Sequence, residues 1–118
     1  MGKREKGVEM INEVYCGDVP VAPEGADSFL DFMLESLFSD LWGNDILSID
    51  QRRLLLLGAI AAQGEEMTFT IQARSALKRG ELTFEQLEEV VRFITQYIGY
   101  PRGSKMKGVI GGLKKEFG

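Results

Sequence analysis

A chain of 118 residues, 44% apolar and 27% charged, has the composition of one ordinary globular domain. Its net charge of −4 provides no overall basic field for nucleic acid, and it contains no histidine, the side chain most used for proton transfer near neutral pH. The lone cysteine, Cys16, excludes an internal disulfide and a CxxC pair, and it fits a reducing compartment.

The opening residues, MGKREKGVEM, are charged and lack the apolar core of a secretion signal, so a cytoplasmic protein is expected. Residues 3–14 predict an amphipathic helix with Val8, Ile11 and Val14 along one side. Residues 17–25, GDVPVAPEG, hold two of the three prolines and predict a connector. Asp27 or Ser28 can cap a second helix. Its apolar face runs through Phe29, Leu30, Met33, Leu34, Leu37, Phe38 and Leu41 to Trp42, with Gly43-Asn44 as the stop.

Ser48 and Gln51 have capping-box spacing, so a third helix should start there. After Arg52 and Arg53 its sequence is apolar all round, which predicts a central, mostly buried helix. The run Leu54–Ala62 is far too short to span a membrane. A fourth helix is expected over 66–78, ending at Gly80. Thr83 and Gln86 repeat the capping-box spacing ahead of a fifth helix, whose core face is Phe84, Leu87, Val90, Val91, Ile94 and Ile98. Pro101 suits the first turn of a sixth, where Met106, Val109, Ile110, Leu113 and Phe117 recur at helical spacing. Gly103, Gly108, Gly111 and Gly112 lie in that last helix and predict close packing of a neighbour. The prediction is a single all-α domain over 1–118 with about six helices.

With no histidine, one cysteine and no calcium-loop spacing, no metal site or cofactor is expected, and no Ser-His or Cys-His nucleophile can be assembled within the chain. A thiol-peroxidase reading is disfavoured because Cys16 has no resolving partner. Nothing basic lies near Cys16 in sequence to activate it, so a small buried or interfacial side chain is expected.

The elements FSDLWGNDILS (38–48), RRLLLLGAIAAQG (52–64), IQARSALKRG (71–80) and LTFEQLEEVVRFITQYIGYP (82–101) occur in an order that resembles the carboxymuconolactone decarboxylase family. The resemblance covers nearly the whole chain and implies the all-helical fold shared with AhpD-type alkylhydroperoxidases. It also implies a homo-oligomer, a homotrimer or a homohexamer built from trimers. The family's histidine falls where this chain has Gln72, an amide that can hydrogen-bond but cannot shuttle a proton near pH 7. Where the peroxidase branch has CxxC, the chain reads Glu65-Glu66-Met67-Thr68.

Decarboxylation of a small carboxylated lactone would need a cationic group for the carboxylate, hydrogen bonds to the developing oxyanion, and an acid to protonate carbon. Arg53, Gln72, Arg74 and Trp42 are the substrate-binding candidates. Arg52 is a further cation, and Glu65, Glu66 and Tyr97 are the candidate proton donors. Each also has a plain reading. Glu65 and Glu66 sit where acidic residues complement a helix N-terminus, Arg52 can pair with Asp50, and Tyr97 can serve packing alone, against Trp42. Two functions therefore stand side by side: a cofactor-independent carboxy-lyase acting on a small carboxylated molecule, and a non-catalytic ligand-binding or structural oligomer of the same fold.

Overall fold

The computed structural model describes residues 2–118 and is all-helical, with no strand among the described residues. Six α-helices occur among the described residues: α1 Lys3–Val14, α2 Ser28–Met33, α3 Ile49–Gln63, α4 Glu66–Lys78, α5 Phe84–Ile98 and α6 Tyr100–Phe117. Among the described residues, no helix is long and apolar enough to cross a membrane. Contacts gather into two compact units, Met1–Arg52 and Arg53–Gly118.

In the first unit, the Asp27 carboxylate accepts the Phe29 and Leu30 N–H groups at 3.1 and 3.2 Å and starts α2. At Leu34 the chain passes without a break into a π-helical stretch, Leu34–Trp42, capped by Gly43. The sequence predicted one continuous α-helix here. The wider π turn, closed by i→i+5 bonds, brings residues four and five apart onto one side. Leu34, Phe38, Ser39 and Trp42 are therefore buried, whereas Phe29 and Leu41, assigned to the same face from their spacing, are exposed. Ile11 and Val14 of α1 complete this core. The ring of Tyr15 meets Phe38 edge-on at 5.9 Å, and Trp42 stacks on Phe38 at 6.5 Å. Cys16 follows directly with φ 56° and is exposed, which corrects the buried one of the two expectations, buried or interfacial.

The Ser48–Gln51 box forms in both directions and starts α3, whose first turn closes the first unit. Arg52 turns back to the Asn44 side chain at 2.7 Å and to the Leu47 carbonyl rather than to Asp50. The expectation that α3 is mostly buried is corrected. Arg53, Leu57 and Ala61, spaced by four, form its buried stripe, while Leu54 and Leu55 are 47% and 66% exposed. An apolar sequence does not create partners for every side of a helix. One flank of α3 meets the core and the other stays open.

The second unit's core joins Leu57 to Phe69 and Ala73 of α4, Leu87 and Val91 of α5, and Met106, Ile110 and Leu113 of α6. The Thr83–Gln86 box caps α5 as predicted, and Pro101 occupies the first turn of α6. Gly103 is required by close approach, since a Cβ there would strike the Thr95 side chain of α5. That bears out close packing at one of the four α6 glycines. Gly108, Gly111 and Gly112 face open space.

Candidate functional site

A buried polar cluster forms where the third and fourth helices of the sequence were expected to hold a substrate. It begins with Arg53, whose residue is 0% exposed. A guanidinium out of water must have its donors satisfied. Its Nε and Nη2 fork onto Glu81 Oε1 and Oε2 at 3.0 and 3.1 Å, and Nη1 donates to Gln72 Oε1 at 2.6 Å. Arg79 Nε donates to the same Glu81 Oε2 at 2.7 Å.

The backbone after α4 explains why Glu81 can reach this place. Gly80 takes a left-handed φ of 73°, its N–H bonds the Leu77 carbonyl, and the Glu81 N–H reaches back to the Ala76 carbonyl. This is a Schellman closure, with glycine at the position where a Cβ would be strained. It folds the chain back over the end of α4 and leaves the Glu81 side chain only 3% exposed.

Glu81 was not among the candidates read from the sequence. The signal available was indirect. An arginine placed on the buried stripe of an apolar helix demands a carboxylate from elsewhere in the chain.

Of the substrate-binding candidates, the structure brings Arg53 and Gln72 together, but as partners of each other. Gln72 meets the first turns of α3 at Arg53, and it is buried. Arg74, two residues on, lies on another face of α4. There it forks onto Glu116 of α6 at 2.7 and 2.8 Å. Trp42 belongs to the core of the first unit.

The proton-donor candidates are dispersed. Glu65 caps α4, its carboxylate accepting the Thr68 N–H at 3.2 Å. Glu66 is exposed and borders a shallow hollow with Met67, Thr70 and Lys105. Tyr97 is 77% exposed and packs on Phe93 with ring centres 5.5 Å apart.

The better-formed concavity lies elsewhere, between α5 and α6. It holds about 500 Å³. Val91, Thr95, Gly103 and Ile110 form its floor, and Arg92, Lys107 and Lys114 stand on its rim with one carboxylate, Glu88. Lys114 pairs with Glu88, and this hydrogen bond holds the Glu88 carboxyl below its ordinary range. Among the described residues, no group of three His, Cys, Asp or Glu side chains could hold a metal ion. No known family model and no curated protein matches this chain.

Proposed function

We propose that this protein is a divergent, carboxymuconolactone decarboxylase-like helical protein that acts as a non-catalytic, cytoplasmic homo-oligomer, a homotrimer or a homohexamer. The observation carrying the reading is the Arg53–Gln72–Glu81 cluster. At the position where the family it resembles has a histidine, this chain has an amide whose oxygen is held at 2.6 Å by a buried arginine. That arginine is in turn forked onto a buried carboxylate. A guanidinium so engaged is a brace for the second unit rather than a free cation for a substrate carboxylate. Of the remaining candidates, Glu65, Arg74 and Tyr97 have local roles in capping, a surface ion pair and ring packing.

The test is carbon dioxide release from carboxymuconolactone by the purified protein and by Gln72→Ala. The expected result is no release above the uncatalysed background from either. Release coupled to substrate loss in the parent, and abolished in Gln72→Ala with the helical spectrum intact, would overturn the reading in favour of a carboxy-lyase.

A further inference from the structure

The charges of this chain are unevenly divided. The first unit carries eleven Asp and Glu against four Lys and Arg, whereas the second carries seven against ten. An acidic unit and a basic unit on one chain attract each other's counterparts on a second copy, and the attraction steers encounter as well as holding it.

Each unit also has an apolar feature set among its own charges. On the first, Phe29 and Phe32 of α2 are 79% and 72% exposed. They lie three residues apart, on one face of a helical turn, and are flanked by Asp27, Glu35 and Asp31, the last paired with Arg4. A phenylalanine side chain hides about 150–250 Å² when buried, so two left in water are a strong drive to association. On the second unit, the α5–α6 groove offers an apolar floor under a rim of Arg92, Lys107 and Lys114, the last paired with the rim's one carboxylate, Glu88, so that the rim stays net positive. The helix bordering it, α6, contains five basic residues and a single acid, Glu116. Gly111 lines this groove with nothing within 4 Å of where its Cβ would be. A glycine inside a helix costs about 1 kcal/mol against alanine. Packing within the chain does not explain that glycine any more than Gly108 or Gly112, but at Gly111 the open space is the groove itself, with room for an incoming side chain.

We infer that the α5–α6 groove of one copy receives the Phe29–Phe32 face of α2 from a second copy, a head-to-tail contact between a basic groove and an acidic aromatic ridge. The inference rests on the oligomeric half of the reading above and not on its non-catalytic half. A head-to-tail contact uses two different surfaces, so each copy has one donor face and one acceptor groove, and repetition closes a ring or extends a chain.

This geometry has a distinctive test. Gly111→Leu fills the groove from an open helical site. Phe29→Ser with Phe32→Ser removes the ridge from an exposed one. Both should retain the parent's circular dichroism spectrum, and Lys107→Glu, altering only a rim charge, provides a third variant. By sedimentation velocity at micromolar concentration the parent should be oligomeric, and both the plugged and the ridgeless variants monomeric. Lys107→Glu should weaken association roughly tenfold, and added salt should weaken the parent in the same direction. An equimolar mixture of the plugged and ridgeless variants should form a heterodimer and stop there, because one intact ridge and one intact groove remain.

Three outcomes overturn the inference. A parent that is monomeric overturns it together with the oligomeric reading, and leaves the groove open to a small amphipathic anion instead. Variants that remain as oligomeric as the parent overturn it while leaving that reading in place. A mixture of monomeric variants that fails to reassociate shows that ridge and groove are not each other's partners, and overturns it as well.

Discussion

Glu81→Ala is the sharpest perturbation of the second unit. Glu81 accepts N–H groups from Arg53 at 3.0 and 3.1 Å and from Arg79 at 2.7 Å. Hydrogen bonds to charged groups contribute about 1.5–3 kcal/mol each, but three on one carboxylate are not additive. Arg79 is 24% exposed at its side chain and recovers water when its partner goes, so its share is small. Arg53 has no such recourse, being fully buried. Removing one member of a buried pair typically costs about 3–5 kcal/mol, because the other charge is left uncompensated.

A chain of this size has a total stability of about 6–18 kcal/mol and an unfolding entropy near 0.25 kcal/mol per kelvin. Glu81→Ala should therefore lower Tm by about 12–20 °C. Urea unfolding followed by circular dichroism at a fixed protein concentration gives the same quantity isothermally. The companion variant, Arg53→Met with Glu81→Leu, removes both charges and should recover most of the loss, since apolar replacement of a buried pair is often close to neutral. A loss below about 1 kcal/mol in Glu81→Ala would refute the argument that the cluster braces the unit. So would a double variant no more stable than the single one.

Gly103→Ala should destabilise by about 1–3 kcal/mol because its Cβ would meet the Thr95 side chain, whereas Gly108→Ala, in open space, should stabilise by up to about 1 kcal/mol. Chemical denaturation of the two variants side by side checks the sign difference. The Arg4 guanidinium at 2.8 Å, and then the Gly25 N–H, hold the Asp31 carboxyl below its ordinary value of 3.8. A lowered folded-state pKa means that the contribution is complete above 3.8 and fades as pH falls through the lower folded value. Asp31→Asn should thus be less stable than the parent at neutral pH, and a pH series should show the gap closing in acid. A gap that widened in acid would contradict the assignment.

Much of the helical framework was legible in the sequence because it is written locally. The capping boxes at Ser48–Gln51 and Thr83–Gln86 act over three residues, and both form. The three- and four-residue spacing of Leu87, Val91, Met106, Ile110 and Leu113 marks helix faces that are buried in the second unit. Periodicity could not say which apolar residues find a neighbour. Leu54, Leu55, Phe29 and Leu41 carry the same signal as buried residues and remain exposed. The π-helical turn from Leu34 also shifted the face that spacing alone assigned.

The candidate site was legible only as residue types. Gln72 and Arg53 stood out as the amide and the cation of a possible pocket. That they engage each other depends on Glu81, which lies 28 residues from Arg53 and is brought to it by the turn at Gly80. Local sequence determines caps, periods and helix ends because the interactions that set them span a few residues. Whether a buried charge serves a ligand or a brace is decided by partners distant along the chain, and only the tertiary structure supplies those.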